Sequence, residues 1–251
     1  MKLQRQNMKK NNSKQHEGNY EYIKFDSRRD AYYHTIENLK QMDYSFEDLI
    51  HHFPCFVGHM TLARFLGLYE CYRMTKGITG HIAEVGVYKG ASFLFFAKLL
   101  EIFESESLTQ AHGFDWFKGT GEDTIESKVE AGTYKESYEN VQHLIDIQGL
   151  GHVAFLHQMD VTSELAPFLE AQRHMQFKLV FLDAGMYNVV STVLPLLWER
   201  LTPGGILVFD QYNHELAPGE TLAVREYLPE VQVRTLENIW MPSAYIQKPC
   251  R

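Results

Sequence analysis

Five acidic residues recur at or just beyond the ends of short apolar runs. Glu84 lies in His81-Ile82-Ala83-Glu84-Val85, Asp115 closes Gly113-Phe114, and Asp160 follows Gln158-Met159. Asp183 follows Leu179-Val180-Phe181-Leu182, and Asp210 follows Ile206-Leu207-Val208-Phe209. Burying carboxylates in a structural core is expensive. Clustered at one rim, they point to a ligand rich in hydroxyls and amines, or to a metal ion. Ionised carboxylates only accept hydrogen bonds, two or more each, so a diol or an ammonium group suits them.

The runs that carry these residues read as strands over 81–85, 111–115, 153–158, 178–182 and 205–210. Helical patterns over 90–103, 135–148, 163–172 and 189–201 alternate with them. Such alternation indicates a parallel sheet with helices on both faces, and wholly apolar strands suit burial on both sides. After a helix over 220–228, strands over 231–234 and 244–247 follow one another without a helix between them. They predict an antiparallel hairpin at the sheet edge. The fold class is therefore α/β: a Rossmann-like, mainly parallel seven-stranded sheet over 79–251. Ahead of it, helices over 28–42 and 46–52, with Ser27 and Ser45 as N-caps, precede a longer one over 57–76. That last helix carries Leu62, Phe65, Leu66, Tyr69 and Tyr72 on one stripe. These form a helical extension over 19–78, behind a polar, aperiodic leader over 1–18 that reads as disordered.

In an open doubly wound sheet, ligands bind beyond the carboxyl ends of the strands, where the five carboxylates fall. The first loop discriminates between cofactors. A dinucleotide fingerprint needs G-x-G-x-x-G so that the backbone can approach a pyrophosphate. Here the loop runs Glu84-x-Gly86-x-x-x-Gly90, with Val87 where the middle glycine belongs. Asp115 also lies further past Gly86 than the roughly 20 residues expected of a nicotinamide site. E-x-G-x-x-x-G with an acidic second strand end fits S-adenosylmethionine, which has no phosphate, a ribose diol and a charged amino-acid end. Asp115 is expected to take the ribose hydroxyls, and Glu84 the ammonium group or a water beside it. Trp116 lies against the adenine or in the core. Gly86, Val87, Tyr88, Gly90 and Ser92 of the first loop, with Met159 and Asp160 at the third strand tip, complete the expected cofactor site.

Composition narrows the partners. The formal net charge is −8 over 251 residues. Five basic residues (Lys2, Arg5, Lys9, Lys10, Lys14) precede the first acid, Glu17, so the body is more acidic still. An acidic body is a poor footprint for nucleic acid or for anionic membranes. No apolar run reaches the ~18 residues of a membrane span. Cys55, Cys71 and Cys250 are too few and scattered for a disulfide framework or a zinc site, and read as reduced thiols of a cytoplasmic protein.

Several stretches resemble class I S-adenosylmethionine-dependent methyltransferases, and more narrowly the macrocin O-methyltransferase family. They are Glu84-Val85-Gly86-Val87-Tyr88-Lys89-Gly90-Ala91-Ser92, Asp115-Trp116-Phe117-Lys118-Gly119, Leu182-Asp183-Ala184-Gly185-Met186-Tyr187 with Pro203-Gly204-Gly205, and Asp210 followed by Pro218-Gly219. The stretch from Arg64 to Tyr72 also fits. The resemblance implies methylation of a hydroxyl on a sugar or glycosylated small molecule. It further implies a divalent ion such as Mg²⁺ held by aspartates at the ends of strands four and five. Those positions are Asp183 and Asp210, with Gln211 as a neutral third ligand where the family has aspartate. Gly185 stands where the family has an aspartate suggested as proton acceptor. Asp183 and His214, the imidazole four residues past Asp210, are then the catalytic candidates, with His59 as the other imidazole. His81, His112 and His157 read as structural. Tyr187, Tyr212, Trp240 and Tyr245 are candidates for the acceptor pocket, and the helical extension for pairing two subunits into a homodimer. Two alternatives stand beside this reading: a catalytically degenerate binding protein of the same fold, and a nicotinamide oxidoreductase.

Overall fold

The computed structural model describes residues 26–122, 130–215, 217–237, 239 and 241–250, with side chains from Asp30 onward. The expected leader and Trp240 lie outside the described residues. The chain divides into two compact units, Met1–Thr61 and Leu62–Arg251.

The first unit holds helices α1 (Asp26–Leu39) and α2 (Phe46–His51), a 3-10 turn at Phe53–Cys55, and the first residues of α3 (His59–Met74). α1 starts at Asp26, so Ser27 lies in its first turn and is not its cap. Ser45 does cap α2, its hydroxyl oxygen accepting the Asp48 N–H. Tyr32 and Thr61 share a hydroxyl–hydroxyl hydrogen bond of 2.6 Å.

The second unit is a seven-stranded sheet in the order β3-β2-β1-β4-β5-β7-β6. Its strands are β1 (His81–Val85), β2 (Ala111–Asp115), β3 (Ala154–Gln158), β4 (Phe177–Leu182), β5 (Leu201–Phe209), β6 (Arg234–Thr235) and β7 (Ala244–Gln247). The first five pair in parallel, and β7 pairs antiparallel with both β5 and β6. The strand order reverses between β1 and β4, which makes their carboxyl ends the switch point where ligands bind in open sheets.

Alternation along the strands divides the core in two. Ile82, Leu179, Phe181, Ile206 and Val208 face one way and pack with Leu68, Cys71 and Tyr72 of α3, with α4 (Ala91–Phe103) and with α5 (Tyr138–Ile147). Ala83, Val85, Val180, Leu182, Leu207 and Phe209 face the other way, onto α6 (Val161–Ala171), α7 (Tyr187–Arg200) and α8 (Gly219–Tyr227). α4 is apolar along most of its length because β2 and β3 lie against its buried face, while Ile102 and Phe103 at its end stay exposed. The C-terminal part of α3 thus belongs to the sheet's own core. β5 begins four residues ahead of the expected 205–210, taking in Pro203, and the expected strand over 231–234 shrinks to the two residues of β6.

Candidate functional site

The loop after β1 is built on two unusual backbone positions. Gly86 has φ +90°, and a Cβ there would lie 2.3 Å from the Asp183 carbonyl oxygen. Only glycine lets the β1 and β4 tips come this close. Tyr88, with φ +51°, then turns the chain toward Gly90, which stands just ahead of α4. Asp115 at the tip of β2 holds this loop. Its Oδ2 accepts the N–H groups of Val87 (2.8 Å) and Tyr88 (2.9 Å), and its Oδ1 accepts that of Phe117 (2.7 Å). The carboxylate expected to face a ribose is therefore also the anchor of the two loops that would border it.

Glu84 is 1% exposed. Ser92 donates its hydroxyl to Glu84 Oε1 at 2.7 Å, while Oε2 is buried with no hydrogen-bond partner among the described residues. A buried carboxylate oxygen left unpaired is costly, and such sites generally await a donor. Burial pushes the Glu84 carboxyl well above the usual range; Asp183 and Asp210 add to this, while the Ser92 bond and Arg64 oppose it.

Beyond the tips of β4 and β5, Arg64 of α3 spans both aspartates. It donates one N–H to Asp183 Oδ2 at 2.7 Å and another to Asp210 Oδ1. Its guanidinium lies 5.5 Å from the centroid of the Phe181 ring, a cation–π contact that steadies it from beneath. Burial works against the Arg64 charge, but Asp210 and Asp183 outweigh it and raise its pKa. Asp183 is pushed up to about 8 by burial and by the charge of Asp210, against the pull of Arg64. Gln211 Nε2 donates to Asp210 Oδ2 at 2.9 Å. A Cβ at position 185 would sit 2.7 Å from Gln211 Oε1, so the glutamine occupies the space that a side chain at Gly185 would need. The two departures from the family pattern are thus a single packing arrangement.

The other expected residues separate by role. Val87 is a core side chain, 3% exposed, and meets the site through its backbone. Ser92 acts on Glu84. Trp116 donates its indole N–H to the Gly119 carbonyl at 2.5 Å, which fixes the ring over the loop after β2. Met159 donates its N–H to the Asp115 carbonyl. Asp160 caps α6 by accepting the Thr162 N–H and hydroxyl. His214 is buried in the loop after β5; burial lowers its pKa, although Glu215 and Asp210 pull the other way, so it is neutral near pH 7. His59, at the exposed start of α3, belongs to the first unit. His112 and His157 stack at 5.4 Å and share a 3.1 Å hydrogen bond within the sheet.

At the expected metal site the two strand-end aspartates are already paired with a side-chain cation. The Arg64 cation, not an open coordination sphere, joins the Asp183 and Asp210 carboxylates. Gln211 turns its amide nitrogen to Asp210 and its oxygen to Gly185, so it presents no ligand to the pair. Among the described residues no group of three or more His, Cys, Asp or Glu side chains is placed to hold a metal ion. With the guanidinium between the two carboxylates and the Gln211 oxygen turned to Gly185, the Asp183, Asp210 and Gln211 set in this arrangement does not present Mg²⁺ with free oxygen ligands.

Residues 83–212 match the family model described as "Methyltransferase domain". The chain belongs to that family. It is a class I S-adenosylmethionine-dependent methyltransferase, in keeping with the resemblance to macrocin O-methyltransferase-type enzymes in its motifs. Among solved structures it is similar to CalS11, a calicheamicin methyltransferase: 22% identity, TM-score 0.78, covering 88% of this chain and 92% of that one. The apo structure of CalS11, described as a TDP-rhamnose 3'-O-methyltransferase, gives 23% identity and TM-score 0.72 over 88% and 94% of the two chains. The O-methyltransferase NovP gives 17% identity and TM-score 0.62 over 75% and 81%. At these identities the likeness is one of fold. No match is found among curated proteins. With the family shown, the nicotinamide alternative drops out. No described helix is long and apolar enough to cross a membrane.

Arg64 is the functional residue that sequence reasoning missed. The available signal was an arginine set between Leu62 and Phe65 on the apolar stripe of α3, a position that needs a buried anion as partner.

Proposed function

We propose that the methyltransferase moves a methyl group from S-adenosylmethionine to a hydroxyl oxygen of a sugar or glycosylated small molecule. The observation that carries this reading is the buried, unpartnered Oε2 of Glu84 beside the Asp183–Asp210 pair. Burial and mutual repulsion hold the Glu84 and Asp183 carboxyls above the usual carboxylate range, so each gains by meeting a cation. A ligand bearing an ammonium and a sulfonium supplies that positive charge. Glu84 receives the ammonium, and Asp115, Met159 and Asp160 border the ribose side. The acceptor hydroxyl lies over the tips of β4 and β5.

In the transfer step the hydroxyl oxygen forms its bond to the methyl carbon as the carbon–sulfur bond breaks. That electron pair returns to sulfur, and the hydroxyl proton passes to Asp183. A carboxyl at about 8 is matched to proton transfer near neutral pH, a contribution of typically ~10²–10⁴-fold. Alignment of oxygen, carbon and sulfur supplies a further ~7–11 kcal/mol. CalS11, described as a TDP-rhamnose 3'-O-methyltransferase, supports an acceptor of this class, and the acidic body disfavours a nucleic-acid acceptor. The cytoplasm, with its reduced thiols, suits the three unpaired cysteines.

The test is transfer from labelled donor to a panel of nucleotide-linked sugars, glycosides and simple phenols. We expect a methoxy sugar and stoichiometric demethylated donor. Labelling of phenols alone would overturn the acceptor class, and donor binding without any transfer would favour the degenerate binding protein.

A further inference from the structure

We propose that Arg64 is the fixed cation of this site, so that the Asp183–Asp210 pair works without a divalent metal. This rests on the methyltransferase reading above and concerns what holds the two carboxylates together. Two aspartates at adjacent strand ends repel one another and need a positive charge between them. In this chain α3 supplies it: each aspartate receives its own N–H from the one guanidinium, a pairing that suits the planar fork of arginine. Phe181 lies beneath the guanidinium, and Asp210 is held at its other oxygen by Gln211 Nε2.

The surrounding residues close the arrangement. Gln211 is fixed at two points, its backbone N–H on Glu220 Oε2 at 2.8 Å and its side-chain nitrogen on Asp210. Its Oε1 is buried against Gly185. A side chain at position 185 would collide with that oxygen, so position 185 cannot supply a further carboxylate while Gln211 keeps this pose. A metal would therefore have to displace Arg64 from both carboxylates before either could serve it as a ligand. Arg64 acts through Asp183 and is a positioning residue: it holds the proton acceptor at the tip of β4 and fixes Asp210 beside it.

The experiment measures Mn²⁺ binding by electron paramagnetic resonance to the metal-stripped full chain, alongside calorimetry with S-adenosylhomocysteine. The wild type should bind no Mn²⁺ at ~1 mM, the weak end of oxygen-ligand sites. S-adenosylhomocysteine should bind the stripped protein unaided. In Arg64→Ala the freed carboxylate pair should gain Mn²⁺ affinity by at least about ten-fold, and Asp210→Asn in that background should remove the gain. Arg64→Lys, which retains a cation, should stay unreceptive to Mn²⁺. Stoichiometric, Asp210-dependent Mn²⁺ binding to the wild type would overturn the proposal, and this result needs no variant at position 64 to fold. Loss of S-adenosylhomocysteine binding in the wild type would instead strike the methyltransferase reading, and leave the Mn²⁺ result standing on its own.

Discussion

Asp183 carries the heaviest chemical demand of any side chain in the site. Its replacement by alanine should lower turnover by roughly 10²–10⁴-fold, the usual worth of a positioned base. S-adenosylhomocysteine affinity should stay within a few-fold; near-normal turnover would remove Asp183 from the mechanism. Because the free carboxyl sits at about 8, kcat/KM should rise as pH climbs through that value. The cationic donor favours the charged form, so the midpoint in kcat should lie lower. The same raised carboxyl takes up a proton on folding. Its stabilising share is full below 3.8 and is lost as pH rises through about 8. Asp115 makes a different kind of contribution, since it accepts three backbone N–H groups. Asp115→Ala should cost roughly 1.5–3 kcal/mol of S-adenosylhomocysteine binding by calorimetry, the scale of charge-assisted hydrogen bonds. It should also lower thermal stability, which a residue touching only the ligand would not do.

Strand tips and helix faces bring these residues together, and the sequence revealed the two unequally. The carboxylates at the strand ends were readable because a parallel strand buried on both faces is an unbroken apolar run, and its end is abrupt. Leu179–Leu182 and Ile206–Phe209 show this. The pairing of Arg64 with residues 119 and 146 positions away was not readable. It depends on how α3 docks against the sheet, and a stripe of apolar residues fixes which face is buried but not what meets it. The same distinction applies to Gln211 and Gly185, whose mutual packing depends on how the loops after β4 and β5 meet. Gly86 offers a test of the β1–β4 approach. Gly86→Ala should destabilise the protein by more than about 1 kcal/mol in denaturant titrations, since the positive φ and the Asp183 carbonyl both oppose a side chain. A neutral effect would mean the two tips are not so close. Within β2 and β3, burial lowers His112 to about 3 and His157 to about 4. Lowered histidines stabilise the fold at neutral pH and lose that share as pH falls from about 6.5 toward 4. His157→Phe, which keeps the stacked ring, should flatten that acid limb, which we place on the order of 1–3 kcal/mol after solvent screening. An unchanged limb would locate the acid sensitivity elsewhere.

The whole molecule combines an acidic surface with a rim whose carboxylates outnumber its cations. Class and topology followed from alternation of runs and helices, and the order β3-β2-β1-β4-β5-β7-β6 puts the switch point beside Glu84 and Asp183. What the chain grips there is the claim on which the mechanism depends, and titration calorimetry with S-adenosylhomocysteine tests it most directly. The wild type should bind one equivalent at micromolar levels, and Glu84→Ala should abolish that heat while the variant stays folded by circular dichroism. Absence of binding at millimolar ligand, or binding that Glu84→Ala leaves untouched, would contradict the account.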